Sequence, residues 1–163
     1  MPKRARCPYC DRLFSRDALD HHVQKCKFRV QRVRTKDDQK RAIIVDGNNV
    51  AYHMTSKGRP SAQNLILAYR SLTSAGYRPL FVVSSALPHK IDKPSVLNEF
   101  MLSAEVVRAP TGTNDDLRII QLAKERNVSI VSNDRFLDWV QKYPWITARL
   151  KKYRMTPSGL ILV

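Results

Sequence analysis

The sequence predicts an α/β fold, a central parallel sheet with helices on both faces, preceded by a small N-terminal module. Short continuous apolar runs alternate with longer amphipathic segments from residue 42 onward, an order typical of βαβ units. The chain's three cysteines all fall within Cys7 to Cys26, which sets the N-terminal part apart. With 163 residues and 43% hydrophobic content, the chain can build one ordinary core and one small accessory unit.

The α/β part is expected to begin with a buried strand, residues 42 to 45, that ends in the carboxylate of Asp46 and turns sharply at Gly47. Ligands of open parallel sheets bind beyond the carboxyl ends of the strands, so Asp46 is a candidate site residue. The later elements expected in order are a helix over 61–76, a strand over 80–83, a helix over 94–103, a strand over 104–107, a helix over 113–126, a strand over 128–131, a helix over 135–142 and a closing strand pair within 149–155 and 160–163.

The formal net charge of +15 predicts a polyanionic partner, most often nucleic acid, bound with strong salt dependence. The plainer alternative is a soluble cationic protein. No apolar run reaches membrane-spanning length and no apolar segment follows the basic N-terminus, so neither export nor a membrane helix is indicated and a cytoplasmic location is expected. Cysteines in odd number over a short span suit metal binding in a reducing compartment.

Residues 1–28 have the spacing of a zinc finger, with Cys7 and Cys10 across a tight turn and His22 and Cys26 one helical turn apart. These four ligands would close a tetrahedral structural zinc site. They resemble the Cys-Cys-His-Cys finger family, and structural zinc contributes on the order of 10–16 kcal/mol to such a short segment. Incidental thiols, or His21 as the ligand on a distorted helix, are the alternatives.

Residues 29–41 form a basic linker in which basic and apolar residues alternate at first. The segment is expected to be either an extended arm or a continuation of the finger helix. In function it would lie along a phosphate backbone. A simply solvated linker explains the pattern equally well.

Two adjacent acids begin the helix expected over 113–126. Asp115 and Asp116 each lie four residues before an isoleucine, Ile119 or Ile120, which places both carboxylates on the apolar stripe. The alternative is helix-start chemistry, with Thr113 as the cap and an acid in the first turn. That alternative explains one acid more readily than two on the same inward side.

Asp134 follows shortly after the strand expected over 128–131, and Asp138 follows one helical turn later. Either acid alone is consistent with a cap or a surface residue. Together with Asp46 they would concentrate negative charge, and two unit charges about 4 Å apart repel by roughly 4 kcal/mol at an effective dielectric near 20. Such a cluster needs a cation, and carboxylate ligands select Mg2+ or Mn2+ rather than zinc.

Three acidic motifs occur in the order Ile-Val-Asp46-Gly-Asn-Asn49-Val, Asn-Asp115-Asp116-Leu-Arg-Ile-Ile and Ile-Val-Ser-Asn-Asp134-Arg-Phe-Leu-Asp138. With the terminal Arg-Leu-Lys-Lys-Tyr, they resemble the NYN branch of the PIN-like ribonucleases, most closely the Regnase-like subgroup, over residues 42–163. The resemblance implies a Rossmann-like PIN fold of strand order 3-2-1-4-5 and magnesium-dependent RNA cleavage. The residues that match the family's acidic centre are Asp46, Asp115, Asp116, Asp134 and Asp138, and Asn49 matches the asparagine that orients it.

The chain departs from this family in a short segment before the Asp pair and in an N-terminal finger that is not of the CCCH kind. These differences leave the choice of RNA target open. The basic loop with Lys57 and Arg59 resembles the family's substrate loop only loosely.

The hypothesised reaction is phosphodiester hydrolysis, with one or two ions held by Asp46, Asp116 and Asp134, directly or through water, and an activated water as nucleophile. Asp115 and Asp138 would complete the shell or orient the nucleophile.

The residues expected to bind flanking RNA phosphates are Lys57, Arg59 and Arg135. The main competing hypothesis is an inactive RNA-, RNP- or ribosome-binding factor that uses the domain as a platform. A pure binder of polyanions gains nothing from clustered carboxylates, which argues against it. A DNA-directed nuclease is the third hypothesis, and no feature for reading a duplex supports it.

Overall fold

The structure is a computed structural model that describes residues 4–8, 12–32, 41–55 and 58–163, with only the backbone of residues 27–32. The chain folds as two compact units, Met1–Lys40 and Arg41–Val163. In the first unit, strand β1 (Arg4–Arg6) pairs antiparallel with β2 (Leu13–Ser15), and helix α1 (Arg16–Arg32) follows. The helix runs on through residue 32, so residues 29–32 of the basic linker continue the finger helix. Residues 33–40 lie outside the described part.

The second unit is built on a five-stranded parallel sheet. Its strands are β3 (Ala42–Asp46), β4 (Arg78–Val83), β5 (Glu105–Arg108), β6 (Ser129–Val131) and β7 (Leu150–Lys151). They lie in the order β5-β4-β3-β6-β7 and every neighbouring pair is parallel. Counted within the domain, this order is 3-2-1-4-5, which confirms the predicted fold class.

Seven helices of the second unit are described: α2 (Gly47–Tyr52), α3 (Ala62–Ser74), α4 (Leu87–Lys90), α5 (Pro94–Ser103), α6 (Asp115–Arg126), α7 (Leu137–Val140) and α8 (Ile146–Arg149). A hairpin of β8 (Tyr153–Thr156) and β9 (Gly159–Leu162) ends the chain. No helix among the described residues is long and apolar enough to cross a membrane.

The sheet is buried on both faces because successive strand residues point to opposite sides. Ile43 and Val45 belong to a core that also contains Leu65 of α3 and Leu97 of α5. Ile44, between them, belongs to a second core. That second core contains the buried face of α6. The continuous apolar run of β3 therefore follows from helices on either side of the central strand.

The structure differs from the sequence-based expectations at the last two elements. The helix expected over 135–142 is only Leu137–Val140, because Phe136 adopts a left-handed φ of 51° while its ring is 1% exposed. Burying the ring against the second core outweighs the modest cost of that backbone conformation. The segment 149–155 does not form one strand of the terminal pair. Its first part joins the sheet as β7, and the hairpin begins at Tyr153.

Candidate functional site

Asp46 stands where the central strand β3 passes into helix α2. Its Oδ1 accepts a hydrogen bond from the backbone N–H of Asn49 (3.1 Å), which makes it the N-cap of α2. Its Oδ2 accepts from the hydroxyl of Ser132 (2.9 Å) at the end of the adjacent strand β6. The residue is only 4% exposed. The strand therefore delivers a buried carboxylate whose two oxygens are each held in place by one hydrogen bond.

The turn from β3 into α2 requires a glycine at position 47. A Cβ on Gly47 would lie 2.6 Å from Cγ1 of Val83 and 2.8 Å from the backbone oxygen of Val82. A side chain there would displace β4 or tilt the first turn of α2. Because position 47 has no side chain, the start of α2 can pack closely against the backbone of β4.

Asn49, the third residue of the same helix, links three parts of the site. Its side-chain oxygen accepts from the backbone N–H of Asn133 (3.0 Å) and from the hydroxyl of Tyr153 (2.7 Å). Two donors require an oxygen at this position, so the orientation of the amide is determined by its contacts. The side chain of Asn133 in turn bonds the backbone N–H and C=O of Tyr153 (3.0 and 3.1 Å).

The two acids of α6 are brought to the site by the cap of that helix. The cap is Asn114 and not Thr113, which the helix-start alternative named, and its side chain accepts from the backbone N–H of Asp116 (2.9 Å). The amide of Asn48 donates to Oδ2 of Asp115 (3.3 Å). Its oxygen accepts from the N–H of Ser84 beyond β4 (3.1 Å). Asn48 thereby ties the start of α6 to the carboxyl ends of β3 and β4.

Asp134 lies in the irregular segment between β6 and α7. Its Oδ1 accepts from the N–H of Phe136 (2.8 Å) and its own N–H donates to the hydroxyl of Ser132 (3.1 Å). The ammonium of Lys152 donates to the backbone oxygens of Asn133 and Asp134 (2.9 and 3.0 Å). Asp134 and Asp138 are both exposed at the rim.

The charges of neighbouring acids act on Asp46 and Asp116. The pKa of Asp46 is raised from 3.8 to about 7, chiefly by burial and further by the charges of Asp116 and Asp115. The pKa of Asp116 is raised to about 6 by burial and by the charges of Asp115, Asp134 and Asp138. Every member thus takes part in one acidic centre, defined here as Asp46, Asp115, Asp116, Asp134 and Asp138.

Two other pKa values change near this centre. Burial raises the pKa of the Tyr153 hydroxyl above its ordinary value, and the charge of Asp46 adds to the effect. The phenol therefore stays a donor to Asn49 at any working pH. Burial and the nearby charge of Arg135 lower the pKa of Lys152.

The acidic centre fits a hydrated hard cation better than a bare one. Ligand oxygens on one Mg2+ at 2.0–2.1 Å stand at most about 4.2 Å apart. Within the described residues, no three carboxylates have oxygens all within 4.8 Å of one another. Asp46, Asp116 and Asp134 therefore do not form a ready-made shell of three direct ligands. Mg2+ commonly keeps several waters and uses one or two carboxylates, which suits this spacing.

A different group of side chains is clustered tightly enough to share one ion: the ligand atoms of Cys7, His22 and Cys26 all lie within 4.8 Å of one another. Thiolate and imidazole are the ligands that zinc prefers. The ring of Phe14 stacks on His22 with centroids 3.9 Å apart. The neighbouring histidine, His21, is exposed and outside the group. The fourth expected ligand, Cys10, lies outside the described residues.

Of the residues expected to bind RNA, Arg59 is exposed and lines a cavity of about 390 Å3 with His53, Asn64 and Asp92 among others. Arg135 is exposed beside Lys152, next to the acidic centre. Lys57 lies outside the described residues.

Sequence reasoning missed five residues that shape the site: Asn48, Ser132, Asn133, Lys152 and Tyr153. The rule that identified Asp46 applies to three of them as well. Asn48 follows β3 closely, and Ser132 and Asn133 follow β6, so all three are polar residues at the carboxyl ends of central strands. No local signal marks Tyr153, which lies 104 positions from its partner Asn49.

Comparison with known proteins gives one family and one fold. The family model described as Zc3h12a-like Ribonuclease NYN domain matches residues 39–158. The crystal structure of nuclear proteinaceous RNase P 2 (PRORP2) from A. thaliana is similar with a TM-score of 0.61 and 16% identity over 98% of this chain and 41% of that one. A second structure, Arabidopsis thaliana nuclear protein-only RNase P 2 (PRORP2), is similar with a TM-score of 0.60 and 18% identity over 90% of this chain and 35% of that one.

The comparison with curated protein sequences finds no match. The chain spans less than half of each of the two RNase P structures, and at these identities the likeness shows the fold. The family model covers most of the chain, including all five members of the acidic centre. The chain therefore belongs to the Zc3h12a-like ribonuclease NYN domain family.

Proposed function

We propose that this ribonuclease-family chain is an Mg2+- or Mn2+-dependent endoribonuclease that hydrolyses the phosphodiester bonds of single-stranded or structured RNA. One observation carries the proposal. In a chain of net charge +15, burial and the charges of neighbouring acids raise the pKa of both Asp46 and Asp116. Such an arrangement is costly unless a cation neutralises it.

Asp46, Asp116 and Asp134 would hold the ion, directly or through water, and Asp115 and Asp138 would complete the shell or orient the attacking water. A bound Mg2+ neutralises phosphate charge and lowers the pKa of water. The chain itself would orient the carboxylate of Asp46 toward the ion, because its two oxygens are held by separate hydrogen bonds. An ion at this site would compete with the protons whose binding the raised pKa values of Asp46 and Asp116 favour, so affinity for Mg2+ should rise from pH 6 to pH 8.

RNA would be held beside the acidic centre by cations. Arg135 adjoins Asp134 in sequence and is exposed, so it is placed to contact a phosphate next to the scissile one. Arg59 and Lys57 would contact other flanking phosphates. Asn49, with its amide orientation fixed by Tyr153 and Asn133, would keep the acids in register.

In the N-terminal unit, Cys7, Cys10, His22 and Cys26 would bind one structural zinc ion. The finger (residues 1–28) and the basic linker (29–41) would add affinity for RNA to the nuclease domain (42–163) of a cytoplasmic enzyme, with ribosomal or other RNP particles as candidate locations of the substrate. Zinc content tests the site. Cys26→Ser is expected to lower bound zinc from about one ion per chain to nearly none, whereas His21→Gln, at the exposed neighbour, leaves it unchanged.

The activity test incubates labelled linear and circular single-stranded RNA, and a DNA strand of the same sequence, with Mg2+, Mn2+ or no divalent ion. Cleavage of the circle demonstrates internal cutting. Asp46→Asn and Asp116→Asn are expected to lose cleavage, and Glu125→Gln, at an exposed acid of the same helix α6, should retain it. Tight RNA binding without cleavage under any ion would instead support a docking factor.

A further inference from the structure

A row of aromatic side chains begins one residue after Asp138 of the acidic centre. The centroids of Trp139 and Tyr143 are 6.4 Å apart with planes at 32°, and those of Tyr143 and Trp145 are 6.4 Å apart at 64°. We name Trp139, Tyr143 and Trp145 the aromatic row. It contains both tryptophans of the chain.

The aromatic row is held on a rigid base. All three rings pack against the second core while staying partly exposed. The backbone between them makes successive turns, with the N–H of Tyr143 donating to the oxygen of Trp139 (2.8 Å) and that of Ile146 to the oxygen of Tyr143 (3.1 Å). The rings are therefore positioned before any ligand arrives, which lowers the entropic cost of stacking on them.

Cations lie directly beside these rings. The ammonium of Lys142 is 5.5 Å from the ring of Tyr143, and the guanidinium of Arg149 is 5.2 Å from the ring of Trp145. From residue 139 to the C-terminus the chain has five basic residues and no acidic one: Lys142, Arg149, Lys151, Lys152 and Arg154. The charge thus changes sign just past Asp138.

We propose that the aromatic row binds single-stranded RNA on one side of the scissile bond, with bases stacking on the rings and phosphates contacting Lys142 and Arg149. Aromatic rings interleaved with cations are how proteins hold single strands without reading sequence. Duplex bases are already stacked on one another and do not offer their faces. The inference rests on the proposed function, because it assigns to the same acidic centre a single-stranded and sequence-tolerant substrate path.

Intrinsic fluorescence reports on this surface directly, since both tryptophans lie in it. The full chain carrying Asp46→Asn, which blocks cleavage, is titrated with a single-stranded RNA oligonucleotide and with a blunt duplex of equal length. The single strand is expected to quench the emission and the duplex to leave it nearly unchanged. Trp139→Phe and Trp145→Phe each keep a ring and identify which indole is quenched.

Charge variants provide a test that does not disturb the core. Lys142→Gln with Arg149→Gln is expected to weaken single-strand binding about tenfold and to reduce the slope of log affinity against log salt by about one to two. The matched control is Lys90→Gln with Lys124→Gln, which removes the same amount of charge elsewhere. Both lysines are exposed, Lys90 on α4 and Lys124 on α6. Unfolding curves of both double variants verify that they fold alike.

Two results would overturn the inference: RNA binding without quenching, or equal affinity and salt slope in the two double variants. Either result leaves the nuclease proposal standing if the wild-type chain still cuts RNA. Conversely, quenching and tenfold weaker binding in a chain that never cuts RNA would support the surface while refuting the nuclease.

Discussion

Replacing Asp46 by asparagine is expected to stabilise the metal-free chain while abolishing cleavage. The carboxylate is buried, and its pKa of about 7 shows that the folded chain disfavours its charge. The introduced amide keeps the size of the side chain and can still accept from the N–H of Asn49 and donate to the hydroxyl of Ser132. It removes only the uncompensated charge.

The magnitude follows from the two pKa values of Asp46. Below about pH 4 the carboxyl is protonated in both the folded and unfolded chain, so the substitution changes little. Between pH 4 and 7 the folded chain binds the proton and the unfolded chain does not, so wild-type stability falls as pH rises. Above pH 7 the penalty is complete. From 3.8 to about 7, at ~1.4 kcal/mol for each tenfold change in proton affinity, it reaches about 4 kcal/mol.

Urea unfolding followed by tryptophan fluorescence measures this gap, because both tryptophans lie in the unit Arg41–Val163. Titrations at pH 5, 6, 7 and 8 use buffer freed of divalent ions by a chelating resin, without soluble chelator, so that the zinc proposed for the N-terminal unit is retained. The free energy of unfolding of Asp46→Asn should exceed that of wild type by an amount that grows up to about pH 7. Glu125→Gln, at an exposed acid, should show no such growth.

Mg2+ supplies the second half of the experiment. If the acidic centre binds the ion, Mg2+ should stabilise the wild-type chain much more than Asp46→Asn and narrow the gap between them. A variant less stable than wild type at every pH, or a gap independent of pH, would refute the argument that Asp46 bears an uncompensated charge.

Three further substitutions test the geometry of the site. Gly47→Ala should lower the free energy of unfolding by about 1–3 kcal/mol, measured in urea, because its Cβ would lie 2.8 Å from a backbone oxygen of β4. Tyr153→Phe removes the donor 2.7 Å from Asn49; it should cost about 1 kcal/mol of stability and lower kcat more than it raises KM. Ser132→Ala removes a hydrogen bond that lowers the pKa of Asp46, so the rise of cleavage rate with pH should shift to higher pH, as a pH–rate profile would show.

The sequence by itself determined the local features of this domain. Continuous apolar residues from 42 to 45 required a strand buried on both faces, and the first polar residue after them, Asp46, had to emerge at the carboxyl end of that strand. The apolar stripe of α6 predicted that Asp115 and Asp116 lie in the first turn of that helix, on the side that faces the sheet. Strand order came from the resemblance to the NYN family and not from periodicity, because periodicity does not say which strands are neighbours.

Only the tertiary structure decided which residues form the hydrogen bonds of the site. Ser132 reaches Asp46 across 86 positions and Tyr153 reaches Asn49 across 104, and no local pattern specifies contacts of that range. Phe136 broke the expected helix because its burial in the second core outweighed helix propensity. The raised pKa values of Asp46 and Asp116 are also decided by the tertiary structure, since desolvation and repulsion act only after folding has removed water and brought charges near them.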